Sequence, residues 1–499
     1  MAGTLPADRL SPARPVTTVR RVTSPPVFSR RALLGGLLAG STAVGLAACS
    51  SSESSSGSGT SGGTAASTTA PVTRPSTKVL QPGERPNPDA AAGTDQLPQI
   101  ENIIVVMLEN HSYDNVLGMQ RGRGDGFTLD ASGKPTAVNP WPIGSPVAPP
   151  GPNTSVRAFP MPNPCQPDGE PYNTWDAFWA SYADGANDGF VGSPSGPVAM
   201  GYIEPSVLPF VNSLAATFPV CHRYFCSVGA QTYPNRRYLM AGTSLGLLTD
   251  TFPSGAPPNG TIFQSLDTHG ISWKNYYGSL PSALIWSYQA GLPGFTSHLA
   301  AIGQFYADAA AGTLPAVSMV DPNFGTNSEE DPQDVQEGDQ FLSQVIHAVM
   351  ASPQWAHTLL LWCYDESGGY YDHVPPPSAA VPDDVPPDLV PGNTPGTFDR
   401  YGFRVPAGIV SPYARKDYVS HVVHDHTSFL KLVETKWNLP VLTHRDGAAD
   451  DLLDSVDLHA TPAFLTPPKL AAPPDPSLLA GCLSTGPGTI PPASALVTT

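Results

Sequence analysis

Cationic side chains are scarce in this sequence. Its 25 lysines and arginines face 42 aspartates and glutamates over 499 residues, a formal net charge of −17. Such a chain does not coat nucleic acid, whose phosphates demand a positive surface, so no nucleic-acid partner is expected. Charged residues of either sign make up only 13%. Long apolar runs are lacking too: beyond the first fifty residues nothing approaches the roughly 18 apolar residues of a membrane-spanning helix. Cysteine is limited to six residues, and no Cys/His spacing has the form of a structural zinc site. No internal repeat is visible. What is present is a 40% hydrophobic composition, enough for a real core, together with 58 prolines and 47 glycines that predict much ordered loop. The length suits one large domain with appendages.

The N-terminus reads as an address. Arg9, Arg14, Arg20, Arg21, Arg30 and Arg31 face one acid, Asp8, within residues 1–48, which leaves about −22 on the remainder. Ser29-Arg30-Arg31-Ala32 leads into an apolar run too short to span a membrane comfortably, and the run ends in Leu46-Ala47-Ala48-Cys49. The paired arginines resemble a twin-arginine export signal. Leu-Ala-Ala-Cys resembles a lipoprotein processing box with Cys49 as the lipidated first mature residue. The expectation is an exported, extracytoplasmic lipoprotein of the cell membrane, with residues 1–48 removed. Residues 49–98 hold almost no large apolar side chain, and we read them as a disordered Ser/Gly/Thr tether. A catalytic domain is expected over 99–466 and a Pro/Ala-rich tail over 467–499. After Cys49 five cysteines remain, an odd number, so at least one stays free or pairs with another chain. The chain is expected to be a monomer.

Between 99 and 445 short apolar runs alternate with helical stretches. Ile103–Leu108 is apolar throughout and stops at Glu109-Asn110. Leu359–Tyr364 has the same character and stops at Asp365-Glu366, Ala316–Val320 stops at Asp321, and Val405–Val410 stops at Ser411-Pro412. Continuous apolar runs mark strands buried on both faces, so an α/β fold with a mostly parallel central sheet flanked by helices is predicted. Ligands of such sheets bind outside the carboxyl ends of the strands. Two strands deliver metal-competent pairs there, and their oxygens suit one or more hard or borderline divalent cations.

Four segments stand out: Glu109–Asn115, Gly229–Arg236, Tyr364–Pro377 and His424–Lys431. In this order they are similar to the motifs of the phosphoesterase family that holds bacterial phospholipases C, plant non-specific phospholipases C and an acid phosphatase. The resemblance runs from about 100 to 440. It implies an alkaline-phosphatase-like α/β core in which a hydroxyl attacks phosphorus beside a divalent metal. By position it implies Glu109, Asn110, Asp365 and Glu366 as metal ligands, with Thr232 as nucleophile and further ligand. The chemistry agrees, since a threonine hydroxyl is a weak nucleophile until a metal or base activates it.

Other residues keep two readings. Arg236 is either a bidentate phosphate clamp or a salt-bridge partner of a loop acid. His373, between a Gly-Gly turn and three prolines, either protonates the leaving oxygen or fixes its loop. His426 is either catalytic or a helix-start residue beside the capping candidates Asp425 and Thr427. His111 follows the ligand pair and is placed along the pocket. Trp175–Trp179 is either a contact for acyl chains or an amphipathic helix face packed in the core. Where many relatives carry a Ser/Asp-Glu-His-Pro segment, this chain has Ser328-Glu329-Glu330-Asp331-Pro332, without the histidine.

The function expected is metal-dependent hydrolysis of phosphate esters. Phospholipase C-type cleavage through a phospho-threonine leads. Acid phosphatase action on small soluble monoesters and a catalytically silent lipid-anchored binding protein are the alternatives.

Overall fold

The computed structural model describes residues 79–165, 172–474 and 490–498. The export signal, Cys49 and most of the expected tether lie outside the described residues. Among the described residues no helix is long and apolar enough to cross a membrane.

The core is an eight-stranded sheet. In chain order its strands are β1 (Asn102–Leu108), β2 (Val220–Cys221), β3 (Trp273–Tyr277), β4 (Leu299–Ala301), β5 (Val317–Asp321), β6 (Thr358–Tyr364), β7 (Ala407–Val410) and β8 (Val419–Ser420). Across the sheet they run β8-β2-β7-β6-β1-β5-β3-β4. The five strands from β6 to β4 are all parallel. The two apolar runs lie side by side in the middle, with every residue of β1 and β6 buried, as continuous hydrophobic runs require. Helices Val335–Ala351 and Thr427–Trp437 bury long apolar faces against the core.

The sheet is mixed rather than parallel at one side. β7 runs antiparallel to β6 and to β2. The expected strand over Val405–Val410 is therefore present but shorter and reversed. A loop and no helix leads into it, so the chain turns back without a crossover.

Two expected boundaries also move. Residues 79–98, read as tether, are packed on the domain: Leu80 donates to the Gly447 carbonyl, Gly83 to Val441 and Gly93 to Trp437. The Asn438 amide ties down the carbonyls of Asn87, Ala90 and Ala91. A composition poor in apolar residues is ordered here by backbone hydrogen bonds and by the burial of Leu80. Near the C-terminus, Leu496–Thr498 is a strand on the edge of Thr154–Arg157. Cys165 is disulfide-bonded, while Cys221, Cys226 and Cys363 are free and buried.

Candidate active site

Three adjacent strands end in acids. Leu108 and Tyr364 are register partners, so Glu109 and Asp365 emerge side by side from β1 and β6. Asp321 closes β5 on the other flank of β1. All three carboxylates are buried, as is Glu366. Four acids shut away from water at one sheet edge need cations to remain charged.

Arg236 supplies one positive charge. It rises from helix Thr232–Ala241 and is wholly buried. Its Nε donates to Asp365 Oδ2 at 3.0 Å, its Nη1 to Asp321 Oδ1 at 3.3 Å, and its Nη2 lies 3.5 Å from Glu109 Oε1. Ser282 Oγ and the carbonyls of Met107 and Leu108 take further N–H groups. Burial alone would lower the Arg236 pKa, but Asp365, Glu109 and Asp321 outweigh it and raise it. Of the two readings the geometry shows the salt bridge, made to three strand-end acids rather than to a loop acid. With its donors spent on these acids and their strand ends and no solvent exposure, Arg236 holds the acids in place from beneath.

One terminal atom of the Asn110 amide lies 2.7 Å from Glu366 Oε1 and 3.2 Å from Asp365 Oδ1. Thr232 Oγ1 donates to this same amide at 3.3 Å. If that terminal atom is the amide oxygen, four oxygens converge with no proton among some of them, and a cation is what holds such a set together. If it is the nitrogen, it donates to both carboxylates and the set is closed without one. The donors fit a divalent ion that prefers oxygen, with Glu109, Asn110, Thr232, Asp365 and Glu366 as the residues that would hold it. Burial pushes the Glu109, Asp365 and Glu366 carboxyls up; Arg236 opposes this at Glu109 and Asp365, whereas Asp365 adds to it at Glu366.

Local backbone makes this convergence possible. Asn110 has φ +67°, a left-handed turn that asparagine tolerates better than most residues. Gly368, φ +63°, donates its N–H to Glu366 Oε2 at 2.7 Å. A Cβ at Gly368 would collide with the Asn110 carbonyl oxygen, so the Gly-Gly turn is required by close approach as well as by φ. Thr232 is the first residue of its helix, so its hydroxyl sits at the positive end of the helix dipole. Pro234 falls within the first turn, where its missing N–H costs nothing.

Three histidines take other roles. His426 is buried, with Nε2 2.6 Å from the Asp365 carbonyl and Nδ1 3.3 Å from the Tyr224 hydroxyl. Burial pushes its pKa down to about 3, so it is a neutral brace for the Asp365 strand end. Both ring nitrogens of His426 thus have partners within the fold. His373 Nδ1 is 2.7 Å from Asp114 Oδ2 and Nε2 is 3.4 Å from Asp125 Oδ1. None of these partners belongs to the Glu109–Thr232–Glu366 group, and the contacts are those of the loop-fixing reading of His373. Asp114, Asp372 and His373 also come together as a metal-like trio. There Arg404 already supplies the cation, with Nε 2.8 Å from Asp372 and Nη2 3.3 Å from Asp114. His111 is buried on the Glu329 carbonyl and stacked on Tyr370.

Two participants escaped the sequence. Asn173 donates to Glu366 Oε1 at 2.8 Å from nearly two hundred residues away, with no local signal. Asp321 carried the same signal as its neighbours, an acid closing an apolar run, yet its role as an Arg236 partner appears only once β1 and β5 are paired. The Ser328–Pro332 segment passes beside the site, where Ser328 O accepts the Glu109 N–H at 2.8 Å.

Residues 100–440 match the model of the Phosphoesterase family. The chain belongs to the Phosphoesterase family. It is 31% identical over 409 residues to non-specific phospholipase C1 of Arabidopsis thaliana, covering 74% of this chain and 73% of that protein. It is 31% identical over 462 residues to phospholipase C A of Mycobacterium tuberculosis, covering 79% and 83%. Among solved structures, a protein in the alkaline phosphatase superfamily from Vibrio parahaemolyticus aligns with a TM-score of 0.33 and 12% identity, over 60% of this chain and 72% of that one. That score is too low to add to what the sheet itself shows. This phosphoesterase is a phosphoric ester hydrolase, and the acids described above lie at the carboxyl ends of parallel strands, the edge at which open α/β sheets bind ligands.

Proposed function

We propose that this phosphoesterase cleaves phospholipid in the manner of a phospholipase C, through a phospho-threonine on Thr232. The observation that carries the proposal is the convergence of Thr232 Oγ1 on the Asn110 amide between Asp365 and Glu366. The names of the phospholipase C relatives support the substrate class.

Thr232 Oγ attacks phosphorus as its proton passes to solvent, the bond to the glycerol oxygen breaks, and diacylglycerol leaves with a proton from solvent. Water then attacks the phosphodiester on Thr232, the Oγ–P bond breaks, and the phosphorylated headgroup is released. A divalent cation, when bound, would acidify the hydroxyl and neutralise the phosphoryl oxygens. The chain's own part is placement. The Asn110 amide takes the Thr232 hydroxyl's hydrogen bond, and the helix start sets that hydroxyl at the positive end of the helix dipole. Arg236 and His426 hold the acids at the strand ends. Export and anchoring through Cys49 would set the enzyme beside a membrane, and this belongs to the same proposal.

The test is a parallel assay of p-nitrophenyl phosphorylcholine and p-nitrophenyl phosphate, with and without a chelator. Chelator-sensitive cleavage of the diester is expected. Cleavage of the monoester alone would make the protein a phosphatase.

A further inference from the structure

Five exposed apolar side chains, here termed a collar, stand on segments tied to the site residues, and no step of hydrolysis uses them. Phe252, Leu280, Tyr172, Val390 and Leu389 are 59%, 61%, 53%, 60% and 37% exposed. They lie far apart in sequence, but hydrogen bonds and ring contacts join their segments in a chain. Tyr172 adjoins Asn173, which holds Glu366. Asp176, four residues on, accepts from Asn393 and from the Thr394 N–H and so ties down the loop that bears Leu389 and Val390. The Asp388 N–H of that loop donates to Gly246, at the start of the segment that ends in Phe252. The Phe252 ring meets Tyr233, the neighbour of Thr232, at 5.8 Å. Arg237 donates to Thr251 and lies 5.8 Å over Trp286, which joins this segment to the one bearing Leu280. Ser282, two residues after Leu280, takes the Arg236 N–H. The collar thus passes Glu366, Thr232 and Arg236 in turn.

Charge narrows what fits against it. Between residues 158 and 399 the only cationic side chains are Arg223, Arg236, Arg237 and Lys274. Arg236 and Arg237 are buried. The collar segments contain acids instead, with Asp250, Asp384 and Asp388 exposed. Peripheral proteins that favour anionic lipid carry Lys and Arg beside their apolar residues. This collar has the opposite design. Its carboxylates repel anionic headgroups and attract the outward ammonium of a zwitterionic one, while its side chains enter the interface.

We propose that this collar docks the enzyme on a bilayer of zwitterionic phospholipid, with the site opening onto the headgroup layer. The proposal rests on the phospholipid reading of the site, but its test is separable from it. Trp175, Phe178 and Trp179 take no part, because their rings pack on each other and on Phe398 and Phe403. The expected acyl contact therefore falls to the collar and not to that helix.

The experiment uses the full chain carrying Cys49→Ser, so that no acyl anchor contributes. Flotation with phosphatidylcholine vesicles is compared with flotation when half the lipid is phosphatidylglycerol. Binding to the first and several-fold weaker binding to the second are expected. The double variant Phe252→Ser, Leu280→Ser should lose roughly tenfold or more of the vesicle binding. It should lose as much of the rate on phosphatidylcholine vesicles, with the rate on soluble p-nitrophenyl phosphorylcholine unchanged. Preference for the anionic vesicles, or equal flotation of the double variant, would overturn the proposal. If no diester is cleaved, the phospholipid reading fails, and the flotation result still decides the docking surface.

Discussion

Arg236 Nε donates to Asp365 Oδ2 at 3.0 Å with both side chains shut away from solvent. The same guanidinium spans Asp321 and reaches Glu109, so a single arginine fixes the ends of three neighbouring strands. Removing it leaves three buried carboxylates without their cation. Arg236→Met should cost about 3–5 kcal/mol of stability, the usual cost of orphaning a buried charge. Urea unfolding would measure this. An Arg236→Met protein of unchanged stability with a raised KM would restore the phosphate-clamp role that the buried geometry denies.

Thr232 bears on chemistry rather than on folding. Its hydroxyl makes one long hydrogen bond at 3.3 Å, so Thr232→Ala should unfold at nearly the wild-type midpoint. Turnover should fall by at least about 10³-fold, the scale on which lost nucleophiles are felt. Thr232→Ser, which keeps the hydroxyl, should retain measurable activity. Circular dichroism melts and steady-state assays of the two variants side by side distinguish these roles.

Gly368 ties the turn to the ligand set. Gly368→Ala places a methyl against the Asn110 carbonyl and forces alanine to φ +63°. Strain of about 1–3 kcal/mol is expected. Its relief moves Asn110 or Glu366, so the variant should lose both stability and metal content. Inductively coupled plasma analysis of the purified variant checks the second part.

His373 should give the protein a pH-dependent stability. Burial acts to lower its pKa, but the Asp114 hydrogen bond and charge raise it to about 8, above the ordinary 6.5. A folded pKa above the unfolded one means stability fully present below about pH 6.5 and lost as the pH rises through 8. The size is about 2 kcal/mol. His373→Gln should flatten the difference in unfolding free energy between pH 6 and pH 9, with the loop still held by the backbone bond from residue 373 to Asp114.

Much of this architecture is legible in the residues. Ile103–Leu108 and Leu359–Tyr364 read as buried parallel strands because every position is apolar, and the acids that follow them read as ligands because strand ends gather at one edge. The reversal of Ala407–Val410 is not legible, since four apolar residues look the same in either direction. Nor are the roles of Arg236, His373 and His426. Each is decided by partners about sixty residues or more away in sequence: Asp365 for Arg236 and His426, Asp114 for His373. Residues 79–98 misled by composition, because what orders them is backbone bonding to residues 436–447, which no side-chain count registers.

The central claim is that Thr232 carries the phosphoryl group in the course of diester cleavage. Rapid acid quenching of enzyme mixed with p-nitrophenyl phosphorylcholine, followed by mass spectrometry of the peptide that spans Thr232, measures it directly. The account predicts phosphorylcholine on Thr232 within the first turnover, discharged as product accumulates. Diester turnover with that peptide unmodified, or with the label on another residue, would contradict it.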